Sequence, residues 1–260
     1  MKKINLTENN KVLIYFALKY KGDWKKIYLA LKYKEEYIEK ELLEELKRIN
    51  CNIVTMLDND YPYQFKNIKN PPFVLFYYGD LSIITSKKIL AVVGSRKCSS
   101  YGKEACEKVL KDLNKEWVIV SGLAEGIDTI AHQVALDNNL KTIAILGVGI
   151  DKCYPKQNFK LYERIKEKGL IISEYPYKEV VSKMNFTFRN RLISALSNGI
   201  LIPECQDKSG SLITLRYGLE QGKDIMVIPS SISLGTYNNS LIQQGAIPII
   251  CSNDIEEQLK

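Results

Sequence analysis

Histidine is nearly absent from this chain: among 260 residues only His132 is one. The six cysteines, Cys51, Cys98, Cys106, Cys153, Cys205 and Cys251, include no CxxC pair. A structural zinc needs clustered thiol and imidazole ligands, and a disulfide framework needs paired spacing, so neither is expected. Ser-His-Asp chemistry is equally short of parts. Scattered free thiols fit a reducing cytoplasm. No apolar run approaches the roughly 20 residues needed to cross a bilayer. Lys2 and Lys3 are followed by polar residues, and the apolar stretch 12–18 is short, ends at Lys19 and lacks a small-residue cleavage site. It reads as helix core, not as a secretion signal.

Dinucleotide and nucleoside-triphosphate fingerprints are missing too. The first strand-to-helix turn reads GSRKCS, not GxGxxG, and there is no Walker A loop. The GVG at 147–149 runs on to Pro155, which delays any helix. Without that context the fingerprint has no force. We therefore expect no metal and no cofactor.

What the chain does have is a mild basic excess, 37 Lys and Arg against 30 Asp and Glu. The excess is four in residues 1–50 and four in residues 86–260. There is no basic tail, so an anion-binding surface would have to be assembled by folding. Residues 8–49 show three segments of helical periodicity, broken at Gly22-Asp23. A short strand at 52–55, a connector punctuated by Tyr61-Pro62 and Pro71-Pro72, and an aromatic strand at 73–78 follow. From residue 88 onward, apolar strands at 88–93, 117–120, 142–146, 170–173, 199–203 and 225–228 alternate with helical patterns. The helices are expected at 100–114 and 128–138, and near 158–168, 188–198 and 212–220. This alternation predicts βαβ units and an α/β fold with a mostly parallel sheet covered on both faces. We divide the chain at residue 50, with a helical module over 1–50 docked on a Rossmann-like domain over 51–260.

Ligands of such sheets bind at the carboxyl ends of the strands. Three junctions there carry small residues and charge. Gly94-Ser95-Arg96 follows the first buried strand. Ser121-Gly122 begins a loop that runs to Asp128, which is placed to cap the next helix. Lys208-Ser209-Gly210-Ser211 opens another helix, where backbone N–H groups, hydroxyls and a lysine make a phosphate cradle. Small residues at such turns are often plain turn chemistry, but three in one sheet favour an anionic ligand. In FTFRNR (186–191), Phe186 precedes Arg189, Asn190 and Arg191. Arginine grips phosphate bidentately and an aromatic face stacks on bases, which is the combination single-strand binders use. Read alone, the segment is better taken as a helix start with one buried Phe and two surface arginines. His132, flanked by apolar residues, reads as structural. The loop acids Glu125, Asp128, Asp151, Glu174 and Glu204 show no paired acid–base spacing.

Seven co-linear runs carry a resemblance: AVVGSRKCSSYG (91–102), VSGLAEGIDTIAHQVAL (120–136), TIAILGVGIDKCYP (142–155), GLIISEYP (169–176), FTFRNRLISALS (186–197), SGSLIT (209–214) and GTYNNSLIQQGA (235–246). Together they resemble the DNA-processing protein A (DprA/Smf) family. The resemblance implies an extended Rossmann-like domain that binds single-stranded DNA and loads the RecA recombinase onto it in natural transformation, without enzymatic activity. It places a phosphate pocket on Gly94, Ser95, Arg96, Ser121, Gly122, Arg189, Asn190, Ser209, Gly210 and Ser211, with Phe186 as the pocket aromatic. The residue reading adds Arg191 and Lys208. The resemblance also implies a homodimer and a RecA contact in the C-terminal part of the domain, for which Leu241 and Ile242 are the candidates. The helical start is similar to the family's SAM-like module in size and helicity. Thr187 stands where the family has proline, Cys205 follows Glu204 in place of alanine, and Ser230 follows Pro229 in place of glycine. The C-terminal winged helix of some members is not expected. The rival reading is a nucleotide-ligand enzyme or sensor of the phosphoribohydrolase-like Rossmann class, but its PGGxGTxxE loop is not present at 205–214.

Overall fold

The computed structural model describes residue 4, residues 6–177 and residues 181–260. Three amphipathic helices open it: α1 (Glu8–Lys19), α2 (Trp24–Lys32) and α3 (Glu39–Arg48). Asp23 starts α2 by accepting the Lys26 N–H at 3.1 Å, which satisfies one of the free donors at a helix start. β1 (Asn52–Thr55), the short α4 (Tyr63–Lys66) and β2 (Val74–Gly79) form the connector. The alternating part then runs β3 (Ile89–Val92), α5 (Ser100–Lys111), β4 (Val118–Ser121), α6 (Ile127–Asp137), β5 (Lys141–Leu146), α7 (Phe159–Lys168) and β6 (Leu170–Ser173). It continues through α8 (Lys183–Leu196), β7 (Gly199–Ile202), α9 (Ser211–Glu220), β8 (Asp224–Val227), α10 (Asn238–Gln243), β9 (Ile247–Pro248) and α11 (Ser252–Gln258).

All nine strands join one sheet in the order β1-β2-β6-β5-β4-β3-β7-β8-β9. β1–β2 and β2–β6 pair antiparallel, and every other pair is parallel. The α/β fold with a mostly parallel sheet is therefore as expected. Successive strand residues alternate faces. Ile89, Ala91, Val120 and Ile200 pack toward α8 and α9 in one layer. Leu90, Val92, Ile119 and Leu201 face α5, α6 and α11 in the other. The three opening helices pack in a third cluster, where Phe16 and Leu42 belong with Phe76 and Ile171.

The principal departure is α8, which begins at Lys183 and not near residue 188. Its first turn includes Met184, 80% exposed, and Lys183, also exposed. A turn that does not face the core carries no apolar period from which its start could be read. Short α10 and α11 were likewise unmarked. No helix among the described residues is long and apolar enough to cross a membrane.

Candidate functional site

The strand order reverses between the parallel neighbours β3 and β7, where successive connections leave toward opposite edges. A crevice opens at such a switch point, above the carboxyl ends of the strands. Here it is framed by the loop after β3. The Ser95 N–H donates to the Glu204 carbonyl at 2.8 Å, and the Ser95 carbonyl accepts the Ile127 N–H at 3.1 Å. That loop is thus tied both to the end of β7 and to the start of α6. Gly126 sits at φ 72° with an added Cβ only 2.2 Å from the Ser95 carbonyl oxygen, so no side chain fits between them. Glu204 is buried and accepts the Ser99 N–H at 2.9 and 3.2 Å together with the Ser99 hydroxyl. It serves the start of α5, where a carboxylate is favoured.

Beneath the crevice lie Ser121 and Gly122. The buried Ser121 hydroxyl donates to the Val92 carbonyl at 2.6 Å. Asp128 lies within α6, not at its cap, and reaches back to accept the Gly122 N–H at 3.1 Å and the Ala124 N–H at 3.3 Å. It holds the loop shape. Burial raises its carboxyl pKa, against the pull of Arg189 and of those N–H donors. Arg189, 4% exposed, donates from Nη1 to the carbonyls of Gly122, at 2.8 Å, and Ile145. Burial brings its pKa down to about 10, with Asp128 opposing and the charge of Arg96 adding to the depression. It remains a cation at neutral pH.

The other walls come from α8 and the start of α9. Asn190 Nδ2 donates to the Gly210 carbonyl at 3.4 Å, and the Ser209 and Ser211 hydroxyls lie 2.5 Å apart. At the rim, Phe186 packs against Tyr154 with ring centroids 5.4 Å apart. The result is a cleft of about 600 Å³ lined by Arg96, Lys97, Lys183 and Arg189 against the single acid Asp128. Arg96, Lys97 and Lys183 are exposed, and none has an ion-pair partner among the described residues. Unpaired cations, hydroxyls and a helix N-terminus converging on one crevice are suited to a polyanion.

Nine of the expected ligand residues line this cleft: Gly94, Ser95, Arg96, Phe186, Arg189, Asn190, Ser209, Gly210 and Ser211. Ser121 and Gly122 lie outside its lining and support the layer beneath. Lys208 is exposed in the loop before α9 and also lies outside the lining. Arg191 is a correction. It is 1% exposed and forks onto Glu174 with both Nη atoms at 2.6 Å, donates to Asn70 and Phe188 carbonyls, and stacks on the Phe188 ring. Every face of its guanidinium is spent inside the protein. Leu241 is corrected likewise: 5% exposed, it is part of the core under the sheet, while Ile242 is half-buried beside it. His132 is fully buried, with Nδ1 2.7 Å from the Thr142 hydroxyl, and burial lowers its pKa to about 3, so the ring stays neutral.

The sequence reading missed Tyr154, Lys97 and Lys183. Lys97 adjoins Arg96 and could have been found from that neighbour. Lys183 needed the earlier start of α8, which places it one turn before Phe186.

Comparison with known proteins decides the family. The model of DNA recombination-mediator protein A matches residues 52–260. The chain belongs to this family. It is 44% identical over 203 residues to the DNA processing protein DprA of Streptococcus pneumoniae, covering 77% of this chain and 72% of that protein. To the Bacillus subtilis DNA processing protein DprA it is 36% identical, covering 84% and 74%. The X-ray structure of the Streptococcus pneumoniae family member superposes with a TM-score of 0.83 at 35% identity over 99% of both chains. A Helicobacter pylori member, solved in a study of its single-stranded DNA binding mode, gives a TM-score of 0.73 at 32% identity over 81% of this chain and 96% of that one. The family model thus covers the sheet, and the superposition with the Streptococcus structure spans the opening helices as well.

Proposed function

We propose that this protein binds single-stranded DNA in the β3/β7 cleft and promotes loading of the RecA recombinase onto it, as a homodimer in the cytoplasm and without catalysing a reaction. The observation that carries the reading is the composition of the cleft: four cations, a helix N-terminus and two rim aromatics in one crevice with a single acid. Cations track a phosphate backbone, and rings such as Phe186 and Tyr154 stack on bases whatever their sequence. The family's description as a recombination mediator supports the RecA step. A non-catalytic role is supported by how the nearby acids are used. Asp128 holds backbone amides, Glu174 pairs with Arg191 and Glu204 serves Ser99. None of them is poised as a general acid or base beside a nucleophile.

The test is fluorescence anisotropy with labelled poly-dT at several salt concentrations. Binding should weaken steeply as salt rises, because each phosphate contact releases counterions. Arg96→Ala should lower affinity at least tenfold and flatten the salt slope by about one unit. Tight binding of a mononucleotide with no affinity for the oligonucleotide would instead mean a small-ligand site and end this reading.

A further inference from the structure

α8 separates two depressions. One side of its first turns, Lys183, Phe186, Thr187 and Asn190, lines the cleft already described. Met184, Asn185 and Phe188 line a second groove on the opposite flank. Residues four apart share a helix face, so the pairs 183/187 and 184/188 are set by the helix itself. The second groove, about 660 Å³, runs between α8 and the start of α2. It is a feature that the cleft does not use and that no expectation from the sequence anticipated.

Its wall on the helical module is Trp24 and Tyr28, with Phe73 of the connector stacked behind Trp24 in one column. Trp24 stacks on Tyr28 at 5.2 Å and 7°, and on Phe73 at 5.5 Å and 23°. The Trp24 indole N–H donates to the Pro71 carbonyl at 2.7 Å, which fixes the column against the connector. Tyr28, at one end of the column, is 43% exposed. The floor is equally fixed, because Arg191 holds the Asn70 carbonyl at 3.0 and 3.1 Å and presses on Phe188 at 3.6 Å. Three exposed lysines, Lys21, Lys25 and Lys26, rim the groove against one acid, Asp23. Asp23 reaches only Lys26, at 3.7 Å. Among the described residues, Lys21 and Lys25 have no ion-pair partner. A rigid ring column under unpaired lysines repeats, on the far side of one helix, the chemistry of the cleft.

We propose that this groove is a second single-stranded-DNA subsite, taking bases and phosphates of the same strand after it crosses the start of α8. The proposal rests on the reading of the β3/β7 cleft as a DNA site. The two depressions are separated by one helix, about 10 Å across, so a strand anchored in the cleft reaches the groove within a few nucleotides. Lys183, exposed at the first position of α8, stands on the ridge between them. Charge decides for nucleic acid over an apolar peptide: a groove built for a peptide alone would not need three lysines at its edge.

Oligonucleotide length separates the two sites. Anisotropy titrations would compare dT oligonucleotides of about 6 and about 20 nucleotides, one near the low end and one beyond the roughly 4–16 nucleotides of a single-strand site. Wild type should bind the longer one more tightly. Lys25→Glu combined with Tyr28→Ala should lower affinity for the longer oligonucleotide about tenfold and leave the shorter one unchanged. Met184→Glu, on the opposite wall and far from any core contact, should act in the same length-dependent way. Circular dichroism of each variant confirms folding. Equal losses at both lengths, or no loss at either, would overturn the groove as a DNA subsite, the second result leaving the face to a protein partner. Arg96→Ala run in parallel keeps the cases apart. If it abolishes binding while the groove variants do nothing, the cleft reading stands and only this proposal falls. If it leaves both oligonucleotides bound, the cleft reading falls first.

Discussion

Arg189 and Arg191 stand two positions apart on α8, a rotation of roughly 200° about its axis. One therefore lines the cleft while the other turns into the molecule toward Glu174. Both are nearly fully buried, yet their environments differ in kind. Arg189 faces carbonyl oxygens and a distant carboxylate, whereas Arg191 is neutralised by a bidentate partner. Removing Arg191 leaves Glu174, 5% exposed, charged and unpaired. Arg191→Leu should accordingly destabilise the fold by about 3–5 kcal/mol, read as a lowered midpoint in urea unfolding. The salt slope of DNA binding by the folded fraction should not change. A flattened slope with unchanged stability would return Arg191 to the ligand side. From sequence these residues looked alike because type reports charge, and only the helix phase reports direction. Leu241 and Ile242 are the same case: adjacent apolar residues, one in the core and one at its edge. Gly94, Ser95 and Arg96 were legible because a strand end fixes where its loop must emerge.

At the scale of elements, α8 organises the site, and its position depends on how closely it approaches the loop after β5. An added Cβ on Gly147 would lie 2.6 Å from the Phe186 ring and 3.0 Å from its Cα. The first turn of α8 is thus seated directly on this backbone. Gly147→Ala should push that turn outward, cost about 1–3 kcal/mol as overpacking does, and lower poly-dT affinity by displacing Phe186 and Lys183. Gly147→Ala with Phe186→Ala removes the ring half of the clash. It should recover part of the urea midpoint while DNA affinity stays low. Recovery of affinity in the double variant would show that Phe186 does not stack on bases. The GVG at 147–149 is visible in the sequence, where it lacks the context of a dinucleotide loop. Its packing role was not visible, because the partner lies about 40 residues away in the chain.

For the whole molecule, the question is whether the opening helices form a separate unit. The change from helical periodicity to strands near residue 50 marks a boundary in the sequence, and the packing runs across it. Phe16, Leu42 and Leu46 fill one core with Phe76, Ala144 and Ile171, so the helices cover a face of the sheet that would otherwise meet water. β1 starts at Asn52, directly after this module, and pairs with β2 in the same sheet. The Tyr177 hydroxyl also bonds Glu45, linking α3 to the segment after β6. Periodicity revealed each of the three opening helices, yet which apolar stripe meets which sheet face is a long-range choice that no local pattern encodes. A shared core predicts shared melting. Leu42→Ala, at a site 1% exposed, should cost about 2–5 kcal/mol and lower one cooperative transition for the entire chain. Tryptophan emission would follow it at two places, since Trp24 lies in the opening helices and Trp117 just before β4. If the signals separate, with a low-temperature step confined to the surroundings of Trp24, the module melts alone and the common core does not govern stability.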